Sequence, residues 1–153
     1  MNWKKVIAVL VGAVLLFVTG YFVNGAVRGN VYNYDFTLKG ESDNWEASFR
    51  VIGEERFYKR NGVNQYDSYA TDELQLIFKG TDKELAAIKK IHYEYTSPAG
   101  SGSTTMEIDE SLTDRVFTHS GGGNGAFVRE DQIVEVTVEW DNQMEVFELV
   151  AED

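Results

Sequence analysis

His92 and His119 are the chain's entire supply of imidazole, and cysteine is absent. Without thiols there is no disulfide, zinc thiolate, iron–sulfur cluster or thiol nucleophile. A zinc or non-haem iron centre draws on two or three histidines at defined spacing. His92 and His119 lack that spacing and read as surface residues, so no metal or cofactor is expected. Ser120 follows His119 directly, but successive strand residues face opposite ways, which argues against a nucleophile–base pair. Gly121 to Gly125 has the glycine content of a phosphate cradle, yet a P-loop continues into Lys-Ser/Thr and a helix. Here Ala126-Phe127-Val128 follows, so the stretch reads as a flexible, hairpin-type loop.

Carboxylates are plentiful. Glu107, Asp109, Glu110 and Asp114 cluster in sequence, as do Glu41, Asp43 and Glu46. Neither stretch follows the EF-hand order of calcium ligands, so solvated faces are expected, with weak calcium binding as the alternative. Glycoside hydrolysis needs two carboxylates at a set separation across a cleft, which spacing along a chain does not reveal. The densest candidate for recognition is Arg56 to Tyr69. It combines Arg56, Lys59 and Arg60 with Tyr58, Tyr66 and Tyr69 and several amides. Tyrosines and amides can stack on and hydrogen-bond a sugar, and the basic trio can meet an anionic wall polymer. The alternative is a mid-domain hairpin whose tyrosines cover a sheet edge.

The elements that position these residues follow a period of two. Tyr32, Tyr34, Phe36 and Leu38 alternate with polar residues, and so do Trp45, Ala47, Phe49 and Val51. Such alternation marks strands with one buried face. Gly40 to Asn44 turns the chain between them, and Asn61-Gly62 is a strong hairpin signal. Leu74, Leu76 and Phe78 form another strand, and Thr81-Asp82-Lys83-Glu84 fits a capping box for one helical turn through Ala87. Ile91, Tyr93 and Tyr95 alternate again. Ser97 to Ser103 reads as a flexible connection. Thr104–Ile108 and Arg115–Thr118 are short strand candidates. Val134 to Trp140, a turn at Asp141-Asn142-Gln143, and Met144 to Val150 make the clearest hairpin. About seven or eight strands separated by turns predict an all-β domain over 31–151. The preferred architecture is an antiparallel β-sandwich of immunoglobulin-like size, without the immunoglobulin cysteine pair.

The segment Phe36-Thr37-Leu38-Lys39-Gly40-Glu41-Ser42-Asp43-Asn44-Trp45 resembles a recurring F-x-x-x-G-E-S-x-N-W stretch. That stretch occurs in small membrane-anchored or lipid-modified envelope proteins of spore-forming Gram-positive bacteria. The resemblance covers about a fifth of the chain, together with the aromatic-ended terminal hairpin. It implies an envelope location and β architecture, and no activity.

Before the domain, Val6 to Val23 contains no charged residue and follows Lys4-Lys5. Eighteen helical residues reach about 27 Å, close to bilayer hydrocarbon thickness. The lysines place the N-terminus in the cytoplasm and the remainder outside. Residues 1–25 are therefore expected to be a signal-anchor, held in the membrane through 6–23, with 26–30 as a short hinge. Cleavage near Gly25 and secretion is the alternative. Of 14 basic residues, 12 follow residue 25, against all 25 acidic ones, a formal charge of −13. That field repels nucleic acid, whose binding depends on neutralising phosphates. The expected function is a non-catalytic, membrane-tethered binding or structural module of the cell envelope, facing an envelope protein or wall glycan. Two alternatives stand beside it. One is a small carboxylate-dependent hydrolase, and the other is an accessory subunit that pairs with a membrane protein through an edge strand.

Overall fold

A computed structural model describes residues 29–152. The expected signal-anchor and most of the 26–30 hinge lie outside the described residues. Among the described residues, no helix is long and apolar enough to cross a membrane. The chain divides into two compact units, one of 31–55 with 67–153 and one in which Gly29 and Asn30 group with Arg56–Tyr66.

Eight strands form in order: β1 (Gly29–Glu41), β2 (Trp45–Arg60), β3 (Val63–Phe78), β4 (Lys90–Ser97), β5 (Gly100–Glu107), β6 (Val116–Asn124), β7 (Val134–Trp140) and β8 (Gln143–Ala151). One short helix, α1 (Asp82–Ala87), sits between β3 and β4. The expected all-β antiparallel class and strand number hold. The arrangement differs from an immunoglobulin-like sandwich. All eight strands belong to one sheet, in the order β5-β4-β7-β8-β1-β2-β3-β6. In the larger unit this sheet curls nearly into a barrel. Its two four-stranded halves are joined by a short β1–β8 ladder, Leu38 opposite Ala151 and Lys39 opposite Val150. Alternation along each strand is identical for a sandwich and a barrel. Only the pairing between distant strands separates the two.

The buried face follows the sequence rhythm closely. Trp45, Ala47, Phe49 and Val51 of β2, Leu74, Leu76 and Phe78 of β3, and Ile91, Tyr93 and Tyr95 of β4 all point inward. Val134, Val136, Val138 and Trp140 of β7 and Leu149 of β8 complete the core. Trp45 stands at its aromatic centre, with ring centroids of Phe78, Phe117 and Trp140 at 5.1, 5.6 and 5.5 Å. Its indole N–H has no hydrogen-bond acceptor. Helix α1 adds Leu85, and Ile88 just beyond it, to the same core. The capping box forms as expected: Thr81 Oγ1 accepts from the Glu84 amide at 3.3 Å, and the Thr81 amide donates back to Glu84 Oε2 at 2.8 Å. The Thr81 amide first, then the Thr81 hydroxyl, donate to the Glu84 carboxyl and hold it below its ordinary range.

Two stretches expected to be flexible are strands. Gly100–Glu107 pairs with β4 along its whole length, from Ser97 opposite Gly100 to Lys90 opposite Glu107. Gly121 to Asn124 continues β6 and pairs with β3, Asp72 opposite Gly121 and Thr71 opposite Gly122. Small residues remove the side-chain signal of a strand but leave the ladder intact. At Gly102 a Cβ would come within 2.5 Å of His119 Nε2 and 2.7 Å of Tyr95 Cε1, so glycine is required there by close approach.

The Gly40-to-Trp45 segment is a structural joint. A Cβ on Gly40 would lie 2.1 Å from the Glu148 carbonyl oxygen, so glycine lets β1 cross β8. The next turn wraps Glu145 of β8. Ser42 Oγ donates to Glu145 Oε2 at 2.5 Å, and the Asn44 backbone amide donates to the same oxygen at 3.1 Å. Asn44 Nδ2 donates to Oε1 at 2.6 Å. Lys79 Nζ binds Glu41 at 2.9 Å and the Ser42 carbonyl at 2.7 Å. Desolvation works to raise the Glu145 pKa, but the donors from Ser42 and Asn44 outweigh it and hold the carboxyl below its ordinary value of 4.5.

Trp45→Ala lowers unfolding stability by about 3–5 kcal/mol in urea titration, as for other large buried aromatics. Trp45→Phe costs much less than that, because the indole N–H makes no hydrogen bond to lose. Because the folded pKa of Glu145 is depressed, its contribution is complete above pH 4.5 and is lost as pH falls through the lower folded value. Glu145→Gln therefore destabilises the protein near neutrality, and the difference from wild type shrinks in acid-side unfolding curves.

Candidate functional site

The sheet's two ends, β5 and β6, face one another without a ladder. Side chains close the upper part of this seam. Thr104 Oγ1 of β5 and His119 Nδ1 of β6 lie 2.9 Å apart. The His119 ring packs against Tyr95 at 5.8 Å. Tyr93 reaches across from inside, its hydroxyl donating to the Thr118 carbonyl at 2.8 Å. His119 is thus half-buried in the seam rather than a surface residue. Ser120 takes a separate partner, Glu73, at 3.4 Å. His92 is half-buried as well, with Nδ1 at 2.7 Å from Thr105 Oγ1.

Below Gly102 the seam opens into a cleft of about 230 Å³. Its walls are Phe49, Tyr95 and Phe127, with Ser97 of β4 and Ser101 of β5 on one side and Gly122 to Asn124 of β6 on the other. The volume is below the roughly 300–1,000 Å³ of a drug-sized pocket, so it suits a group the size of one ring. Its lining carries one carboxylate, Asp72, and no Lys, Arg or His. Tyr95 donates its hydroxyl to Asp72 Oδ1 at 2.9 Å. Burial first, then this bond and the charge of Asp72, push the Tyr95 phenol up to about 12.

The Phe127 wall is held from behind. Gly53 leaves room for its ring, since a Cβ there would lie 3.1 Å from Phe127 Cε2. The Arg129 guanidinium stacks on Phe127, 4.1 Å from the ring centroid, and on Tyr34 at 4.9 Å. Glu55, only 7% exposed, anchors that guanidinium at 2.6 Å and accepts from the Tyr34 hydroxyl at 2.7 Å. A buried carboxylate paired with arginine and a phenol fixes the loop after β6, and so fixes the cleft wall. Ser68 Oγ secures the same loop, donating to the Gly125 carbonyl at 2.7 Å and accepting from its amide at 3.1 Å.

The expected recognition surface lies elsewhere. Arg56, Tyr58, Lys59, Arg60 and Tyr66 lie together at the end of the β2–β3 hairpin, in the smaller unit. Tyr69 belongs to the larger unit, where it sits opposite Asn124 and is 55% exposed. The six residues therefore do not form one unit's surface. The residues that do line a concavity carried a faint signal. Tyr95 stands on an inward face, and a buried tyrosine hydroxyl calls for a partner. As to the acidic stretches, no three His, Asp or Glu side chains converge for a metal among the described residues.

The Tyr95–Asp72 bond is measurable in solution. In a spectrophotometric titration Tyr95 ionises near 12, above the usual phenol value of 10, and Asp72→Asn moves that step downward. Because the folded value is raised, the linked stability is complete below pH 10 and is lost as pH climbs toward about 12.

No family model, curated protein or solved structure matches the chain.

Proposed function

We propose that this chain is a non-catalytic binding module of the cell envelope, tethered to the membrane through residues 6–23 and working outside the cytoplasm. In it the curled β-sheet body presents the seam cleft to a neutral, hydroxylated ring such as a sugar unit of wall glycan. The observation that carries this reading is the composition of the cleft. Tyr95 and Phe127 keep some accessible ring surface for an apolar contact, with Phe49 fully buried behind them. Asp72, Ser97, Ser101 and Asn124 offer hydrogen-bonding groups, and no cation is present to select an anion. The hydrolase alternative requires two facing carboxylates, and this lining supplies one. The apolar, charge-free run behind Lys4-Lys5 supports the tether and its orientation.

The accessory-subunit reading draws on a different feature of the same place. β5 and β6 end the sheet there, and neither edge carries Lys or Pro to deter a partner strand.

Titration calorimetry of the detergent-solubilised full chain against neutral wall-type oligosaccharides tests the proposal. Binding is expected, with Tyr95→Phe weakening it by up to about tenfold, the worth of one hydrogen bond. Phe127→Ala removes it. A folded chain that ignores every neutral glycan, or that turns one over, overturns the proposal.

A further inference from the structure

The end of the β2–β3 hairpin has a character opposite to the rest of the chain. Residues 56–66 contain Arg56, Lys59 and Arg60 and no acid, within a part of the chain whose formal charge is −13. Asn61 and Gly62 both take positive φ, 52° and 79°, which gives the tight two-residue turn that this pair favours. Around that turn the apolar side chains are exposed: Phe57 by 45%, Val63 by 59% and Tyr66 by 47%. Phe57 and Tyr66 pack on each other at 4.9 Å. Cations interleaved with exposed aromatics are the composition of a surface that sits at lipid headgroups, where rings partition into the interface and Lys or Arg meet anionic lipid.

Chain length bounds the distance between this tip and the apolar segment. Gly29 begins β1 directly against the hairpin: a Cβ there would lie 2.7 Å from the Phe57 carbonyl oxygen and 2.9 Å from Tyr58 Cβ. Val23 ends the apolar run only six residues earlier. Six residues span at most about 20 Å even when fully extended. If Val6 to Val23 crosses a bilayer, the tip cannot stand far from the bilayer's outer face.

We infer that the β2–β3 hairpin tip, through Lys59, Arg60, Val63 and its aromatic pair, docks on an anionic lipid bilayer surface. This inference rests on the tethered reading above. It accounts for the sign of the charge distribution. Acidic residues are repelled by anionic headgroups, whereas the basic, aromatic hairpin tip is attracted to them. The seam cleft uses none of these residues and keeps a ligand of its own.

The native chain lacks cysteine, so single reporter sites can be introduced cleanly. The full chain carrying Val63→Cys with an environment-sensitive fluorophore is reconstituted into vesicles of equimolar phosphatidylglycerol and phosphatidylcholine. A blue-shifted emission, quenched by lipid-borne quenchers, is expected at Val63. A label at Ser111→Cys, beside the acidic cluster, is expected to stay aqueous. Adding Lys59→Glu and Arg60→Glu should return the Val63 label to water, reducing the docked-to-free ratio by at least roughly thirtyfold for the two cations lost near the surface. Carbonate extraction distinguishes tethering from docking. A chain that resists extraction but keeps an aqueous Val63 label overturns the docking inference and leaves the tether standing. A chain released by carbonate overturns the tether and the inference with it. Equal burial of the label in purely zwitterionic vesicles, a buried Ser111 label, or capture of a wall polyanion with the Val63 label aqueous each overturns the assignment to anionic lipid.

Discussion

A sheet with two ends must do something with them. Here β5 and β6 come face to face and are joined by side chains in place of a backbone ladder. Tyr93 satisfies a β6 carbonyl from within the core, and a Thr104–His119–Tyr95 group spans the gap. An edge closed in this way is protected from pairing with another chain where the side chains meet. It stays open where they do not. The cleft is therefore a consequence of how closure is achieved, and its chemistry is set by what the two edges contribute: hydroxyls and glycines from the strands, aromatic rings from the core behind them.

The same economy appears at the other join. The β1–β8 ladder is short, and the turn that follows β1 reinforces it by surrounding Glu145 with donors from Ser42 and Asn44. Each residue of this turn contributes differently. Gly40 permits the close approach, Glu41 forms an ion pair, Ser42 and Asn44 supply the hydrogen bonds, and Trp45 enters the core. The segment from Gly40 to Trp45 thereby joins the two halves of the sheet. Around the cleft, Glu55 and Arg129 play a comparable part. They are charges whose partners are aromatic rings and one another, and they hold Phe127 as a wall.

Charge gives the surfaces different roles. The body carries the acidic excess, the cleft lining carries no cation, and the hairpin tip gathers basic and aromatic residues. The proposed tether, the docking of the tip and a neutral ligand in the cleft are mutually compatible, because each uses a region whose electrostatics the others do not need.

Much of the β structure could be read from the residues alone. Trp45-Ala47-Phe49-Val51, Ile91-Tyr93-Tyr95 and Val134-Val136-Val138-Trp140 are buried as their alternation requires, since the pleat sends every second side chain to one face. Thr81 to Glu84 encodes its own cap because that bonding is local. Reading fails where the local signal is missing or misleading. Gly53 and Glu55 interrupt the apolar rhythm of β2, so its extension to Arg60 is illegible. Gly100 to Ser103 and Gly121 to Asn124 lack large side chains, so strands held by their neighbours' ladders look like loops. The choice between two packed sheets and one curled sheet, the meeting of Tyr95 with Asp72, and the cleft between β5 and β6 depend on contacts between residues far apart in the chain. Local alternation specifies which face is buried, whereas which strands become neighbours is settled only when the whole inner face is packed at once.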